Sequence, residues 1–572
     1  MFQLPEDRKQ DLLAHADEYI GAKVNYSFTP KEMYVLEQFF TNCDQKIFFV
    51  HGLPANVLAT FAAMYSRMAN PRGIRGVFVD TYLISLIAGT LPEVETEYGG
   101  KIADFLKASD ITSLDGFYAH SEATRACYEN FTRSIVMDPD YIQSITNTKR
   151  TKGFLSTWLD AYGHNSIARV ASVTICFEGI SILAAKSLEW SRPGAGFIER
   201  STRYVNMTDP QWYPIENEIR ILGDSLFFAE RTIKRAFELY AELLGADVDG
   251  AFPRYLFDKY GNDYSSNEAA LKLGVMGESF DVLGNFLPAA TLTSVCATVS
   301  GEALPSVLRH LLLDGTPENN AIVQMILKEA AKIGANQFCR HYEPTISEHA
   351  GWSYLSTAAF KNCRLPIYLE GDYPTRNLLD MFCMKEGFAN VASMEEVHTL
   401  LYGAGRADHD KLPNEFEAVG VRLKGMMSFR GWRDLHRQGF STHRRTLLTP
   451  ELGFYVYDKP HPVELDIGFA VIEEFAREEW QRLLNTPVFM RQYMLPIGFN
   501  VGFTFGCNAR QAEFCNWQRT DYSVNHEVRQ VFLAMENALR GRYKWWAQFS
   551  RADMTPKYVF ARGKPKRELI AE

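Results

Sequence analysis

The chain has 572 residues, 46% of them hydrophobic and 23% charged, and a formal net charge of −9. This is the balance of a soluble globular protein of two or more domains, and the negative total argues against a general binder of nucleic acid or anionic membrane. The nine cysteines show no CxxC spacing, which argues against a zinc ribbon or redox dithiol and suits reduced thiols in a cytoplasm; no metal site is expected.

In chain order, residues 1–40 form a polar leader without the apolar centre of a signal peptide. "KIFFVHGL" from Lys46 and "RVASVTICF" from Arg169 read as strands. "EGISILAAKSLEWSRPG" (178–194) reads as a helix ending at a Gly-rich turn. The turn leads into "IERSTRYV" (198–205), where Glu199, Ser201, Arg203 and Tyr204 form a dense polar row. A strand-like "TLTSVCATV" after Leu287-Pro288 and a helix over 315–335 complete the first half.

The second half repeats this rhythm. "KGMMSFRGWRDLHRQG" (424–439) echoes 178–194, Leu495-Pro496 leads into the strand-like "FNVGFTF", and a helix follows over 525–541. With Leu287-Pro288 set over Leu495-Pro496, Asn508 falls on Ser300, Arg510 on Glu302, Arg519 on Leu311 and Arg529 on Ala321. One half carries arginines where the other has none. The expected organisation is a leader, 1–40, and two tandem α+β copies, 41–340 and 341–572. No uninterrupted apolar run is long enough to span a membrane.

Guanidinium forks bind phosphate oxygens through two directed hydrogen bonds, so Arg203, Arg491 and Arg519 are candidates for a nucleotide phosphate, with Ser201 as a short donor beside them. Arg510 and Arg519 lie nine residues apart. On an ideal helix that is half a turn out of phase, so the two should face different surroundings. Glu199 and Arg203 also have the spacing of an ordinary surface pair on a helix. There is no GxxxxGK[ST] loop and no GxSxG elbow, and "NHEVRQ" has Gln530 where a zinc motif needs histidine.

These stretches resemble the flavin-dependent thymidylate synthases. "YGHNSIARVASVTICFEGIS" matches the family's Gly-His-x-Ser, strand and Glu-Gly-x-Ser at His164, Ser166, Glu178, Gly179 and Ser181. "EWSRPGAGFIERSTRYV" matches the second half of its signature at Glu199, Ser201, Arg203 and Tyr204. Residues 491–529 match the downstream pattern at Arg491, Leu495-Pro496, Asn508, Arg510, Arg519 and Arg529. The family's Arg-His-Arg is reduced to Trp190-Ser191-Arg192 in the first copy, and the second copy keeps His436-Arg437 but lacks the polar row.

The resemblance implies a tandem-duplicated member whose two copies form a pseudo-dimer. It implies conversion of dUMP to dTMP with methylene-tetrahydrofolate, FAD and NADPH. Glu199, Ser201 and Arg203 would be catalytic; Ser201, Arg203, Arg491 and Arg519 would bind substrate; His164, Arg192, Asn508 and Arg510 would hold flavin or folate. It also implies a cytoplasmic homodimer. The complementary losses in the two copies imply one composite site, built from 164–204 and 491–529. Another C5 modification of a pyrimidine nucleotide, and an inactive nucleotide-binding paralogue, remain open.

Overall fold

The computed structural model describes most of residues 15–51, 69–79, 172–361 and 411–555, with short gaps in those spans, and residues 368–369. His164, Ser166 and Arg192 lie outside the described residues. The architecture is α+β, as the sequence predicts.

The first sheet is antiparallel, in the order β1-β2-β4-β3. Its strands are β1 (Ile47–Val50), β2 (Ser172–Ser181), β3 (Ala195–Glu199) and β4 (Leu292–Ser300). Valine, isoleucine, threonine and phenylalanine crowd β2 and β4, residues that fit a pleated, covered surface. Cys176 stands opposite Cys296 at the centre. Helix α1 (Ile182–Leu188) follows β2 directly. Helices α2 (Leu226–Leu244) and α3 (Glu268–Leu283) precede β4, and α4 (Leu304–Asp314) and α5 (Pro317–Lys332) follow it.

The second sheet has strands β5 (Tyr368–Leu369), β6 (Gly420–Ser428), β7 (Thr442–Arg445) and β8 (Asn500–Asn508), in the order β5-β6-β8-β7. Helix α6 (Phe429–His436) follows β6 directly, α7 (Val463–Arg482) precedes β8, and α8 (Ala509–Arg519) and α9 (His526–Arg542) follow it.

Strands β2 and β6 each end in a serine that caps the next helix. The Ser181 hydroxyl accepts from Ala184 N, and the Ser428 hydroxyl from Gly431 N; such a cap contributes about 1 kcal/mol. Each serine also donates to a glutamate, buried Glu318 or half-buried Glu527, through its backbone N–H and its hydroxyl. Ser181 donates to Glu318 at 2.9 and 2.7 Å, and Ser428 to Glu527 at 2.7 and 2.5 Å.

The halves join where the two Leu-Pro pairs meet. Ala289 N donates to Leu495 O and Ile497 N to Leu287 O, both at 2.8 Å, with Pro288 opposite Pro496. Apolar residues of α2 and α3, and Phe286 in the 3-10 turn Gly284–Phe286 after α3, share one core with α6, α7 and β8 from the second half. Phe286 stacks on Phe469 at 4.8 Å between ring centres. This seam fixes the positions of α6 and α8 against the end of β3, and the candidate site lies there.

Candidate functional site

A cavity of about 370 Å³ opens between the end of β3, α3, α6 and the last residue of α8. From the first half it is lined by Glu199, Ser201, Thr202, Arg203, Tyr204 and Asp281. From the second it is lined by Arg430, Arg433, Asp434, Arg437 and Arg519. Ser201, Arg203 and Arg519 therefore face one space although more than 300 residues separate Arg203 from Arg519.

Local structure explains the polar row. Glu199 is the last residue of β3, paired with Val295. After Arg200 N bonds to Ser294 O at 2.8 Å, the chain leaves the sheet and turns, with Tyr204 N donating to Ser201 O at 3.2 Å. The Ser201 hydroxyl accepts from Arg203 N at 3.2 Å, which leaves its own hydrogen to donate. The row is thus a strand end and a turn, so Glu199 and Arg203 do not form the helical surface pair that their spacing allows.

Glu199 is fully buried and carries three cations. Arg433 donates to one carboxylate oxygen at 2.6 Å; Arg437 at 3.0 Å and Lys186 at 2.9 Å meet the other. Burial pushes its carboxyl up, but Arg433, Lys186 and Arg437 outweigh burial and hold it far below the usual carboxylate range. With both oxygens so engaged, Glu199 has the environment of an anchor for the arginines and not of a proton carrier. Lys186 also meets Glu189, and burial pulls its ammonium down.

Helix α6 and its C-cap supply Arg430, Arg433, Asp434 and Arg437, at i, i+3, i+4 and i+7, one face of the helix. Phe429, Trp432, Leu435 and His436 turn the other way and are buried. Asp281 on α3 spans the seam, its Oδ1 accepting from Arg203 Nε at 2.7 Å and from Arg430 Nη2 at 2.8 Å. Gly284 makes room for Arg430, since a Cβ there would come within 2.5 Å of its Nε. Arg519 closes the cavity from α8, and its Nε has no hydrogen-bond partner among the described residues.

Five guanidinium groups thus face three carboxylates, an excess of two positive charges among the lining side chains. Arginine stays charged even when buried. An anion is the ligand this surface fits.

Three other predicted site residues stand elsewhere. Arg491 is buried, donating to Trp480 O at 3.0 Å with its guanidinium 4.2 Å from the Trp480 ring centre. It does not line the cavity, because the short helix before Leu-Pro turns it into the packing of α7. Asn508 caps α8, its Oδ1 accepting from Gln511 N at 2.9 Å. Arg510 donates to Leu412 O at 2.5 Å and to Glu417 at 2.8 Å. Arg510 and Arg519 sit on opposite sides of α8, as their half-turn phase requires. Asn508 and Arg510 thus make structural contacts, and neither lines the cavity. Arg529 donates to the backbone of Thr520 and Thr555 and holds the last helix. Among the described residues no cluster suits a metal ion, and no helix is long and apolar enough to cross a membrane.

Sequence reasoning missed Arg430, Arg433, Asp434, Arg437 and Asp281 as site residues. A signal existed for the first four: charges at helical spacing within "FRGWRDLHR", with aromatic residues between them. Asp281 has no such signal.

Residues 114–333 match the family model described as thymidylate synthase complementing protein. A UPF0159 protein of Chlamydia muridarum is 21% identical over 89% of this chain and 92% of its own. One from Chlamydia pneumoniae is also 21% identical, over 88% of this chain and 91% of its own. One from Thermoplasma acidophilum is 21% identical over 69% of this chain and 87% of its own. The family match covers the polar row and Asp281, and the two chlamydial relatives extend over nearly the whole chain.

Proposed function

We propose, from the match of residues 114–333 to the thymidylate synthase complementing proteins, that this chain is a thymidylate synthase-type enzyme of the flavin-dependent family whose nucleotide site is the cavity between its halves. One observation carries the reading: Ser201 and Arg203 meet Arg519 and the arginines of α6 around a single cavity with an excess of two positive charges. A phosphate monoester near pH 7 carries about −1.5 to −2, so the 5′-phosphate of dUMP matches that excess. Arg519 and Arg203 would hold the phosphate, with the Ser201 hydroxyl donating beside them. Glu199 would fix Arg433 and Arg437, and Asp281 would fix Arg203 and Arg430.

The same proposal takes 41–340 and 341–572 as tandem copies forming a pseudo-dimer. Equal strand order, equal serine caps on glutamates and the reciprocal Leu-Pro bonds support it. So does the register: β2 ends with Ser181 opposite Leu292, and β6 ends with Ser428 opposite Asn500, the residue 208 positions after Leu292. One composite site then serves each chain. A cytoplasmic homodimer belongs to this reading as well.

Methyl transfer to C5 of dUMP with methylene-tetrahydrofolate, FAD and NADPH is the chemistry the family brings. The engagement of Asn508 and Arg510 by backbone and Glu417 favours a second reading, a nucleotide-binding paralogue without flavin chemistry. Equilibrium binding of labelled dUMP to the full chain tests the site, with one nucleotide per chain expected. Two per chain, or none, refutes the composite nucleotide site. Flavin absorbance of the purified protein, and chromatography of products from dUMP and methylene-tetrahydrofolate, separate the two readings. A yellow protein that forms dTMP supports the first; a colourless one that binds dUMP without turnover supports the second.

A further inference from the structure

Asp434 stands out among the cavity side chains. It sits on the arginine face of α6, and its side chain keeps 20% of its surface exposed to the cavity. Its closest cations are Arg437 Nη1 at 3.6 Å and Arg203 Nη2 at 3.7 Å. Both contacts are ion pairs too long for hydrogen bonds. Glu199 and Asp281, by contrast, accept hydrogen bonds of 2.6 to 3.0 Å from their arginines. Burial pushes the Asp434 carboxyl up, but Arg203, Arg437, Arg519 and Arg430 outweigh burial and hold it far below the usual range. A fixed carboxylate therefore stands, ionised, among the cations that would meet a ligand's phosphate.

Resting on the nucleotide reading above, we infer that Asp434 is a specificity-determining residue, a built-in counter-ion that sets the cavity for a phosphate monoester and against a diphosphate. With Asp434 ionised, the described lining carries an excess of two positive charges. That balances a monoester dianion. A nucleoside diphosphate brings a further charge and a second phosphoryl group, which this carboxylate repels at close range in a partly dehydrated site. Without the carboxylate the excess rises to three and the repulsion disappears. An introduced repulsion of this kind discriminates between ligands that share every attractive contact.

The test is titration calorimetry of the full chain, wild type and Asp434→Asn, with dUMP and dUDP, and with inorganic phosphate and pyrophosphate as a second pair. Wild type should prefer dUMP to dUDP by about tenfold or more. Asp434→Asn should raise dUDP affinity more than dUMP affinity and cut that preference by about tenfold. Asp434→Glu, which keeps the charge, should preserve it. A wild type that binds dUDP as tightly as dUMP overturns the inference without any variant, and so does an unchanged ratio in a folded Asp434→Asn protein. If the wild type binds neither nucleotide yet prefers phosphate to pyrophosphate, and Asp434→Asn loses that preference, the nucleotide reading fails and the counter-ion role stands. Binding of none of the four overturns both.

Discussion

The cavity and its counterpart in the other half show what the arginines do. Counting from the capping serines, Arg430, Arg433 and Asp434 on α6 correspond to Leu183, Lys186 and Ser187 on α1. Arg519 corresponds to Leu311, and across the matched strands Glu199, opposite Val295, corresponds to Arg445, opposite Phe503. Leu183 and Leu311 are buried. Asp314 accepts from the Tyr354 hydroxyl at 2.5 Å, and Arg445 lies against the rings of Tyr354, Phe429 and Trp432. The same scaffold thus carries leucines where the cavity has Arg430 and Arg519, while Lys186 and Arg445 keep charge on the other side. Arg430 and Arg519 line the open cavity, whereas Leu183 and Leu311 in the matching places are packed into the apolar core.

The comparison breaks most visibly at Glu199. Glu199→Ala leaves Arg433 buried without its carboxylate, and the loss of stability should be about 3–5 kcal/mol. Urea unfolding measures it, and a change below about 1 kcal/mol would mean that the network contributes no more than a surface ion pair.

The pair Leu311 and Arg519 sharpens the contrast. Leu311→Ala should cost about 2–5 kcal/mol of stability through the cavity it leaves, with dUMP affinity unchanged in the folded protein. Arg519→Ala should do the reverse: stability nearly unchanged, and dUMP affinity reduced by about 1.5–3 kcal/mol, the scale of a charge-assisted contact. Calorimetric titration and unfolding of both variants decide it. Equal loss of affinity from the two would remove the asymmetry.

The smallest expected effect concerns the glutamates behind the caps. In the first half a second carboxyl, Glu218, accepts from Glu318 N at 2.9 Å and from the Tyr213 hydroxyl at 3.2 Å. In the second half Glu527 has Arg430 and His526 nearby instead. Burial, and then the Glu318 charge, push the Glu218 carboxyl well up. A carboxyl raised in the folded state stabilises below its unfolded pKa, and that contribution is lost as pH rises toward the folded value. Glu218→Gln keeps an acceptor and removes the titration. Its stability relative to wild type should therefore climb from pH 5 to pH 8. Parallel stability curves over that range would show that Glu218 does not titrate differently on folding.

Much of the scaffold was legible from the sequence alone. Branched and aromatic runs marked β1, β2, β4 and β8, and the helices expected at 315–335 and 525–541 appear as Pro317–Lys332 and His526–Arg542. These signals are local, since strand and helix periods are written in neighbouring residues. The half-turn phase between Arg510 and Arg519 was legible for the same reason. The polar row of Glu199, Ser201 and Arg203 and the one-sided arginine at 519 were visible as residues that packing did not require.

Tertiary structure alone decided which of these residues meet. Arg491 and Arg510 carry the same guanidinium as the cavity arginines, yet the packing of α7 and the Leu412 carbonyl engage them, and Asn508 caps α8. Glu199 meets three cations from the two halves of the chain, a convergence that no local signal announces. Asp281 entered the site because the seam sets α3 against α6, leaving its carboxylate between Arg203 and Arg430. Helical and strand periods say which way a side chain points along its own element. They do not say which other element stands opposite, and a charge in a dry seam is defined by its partner.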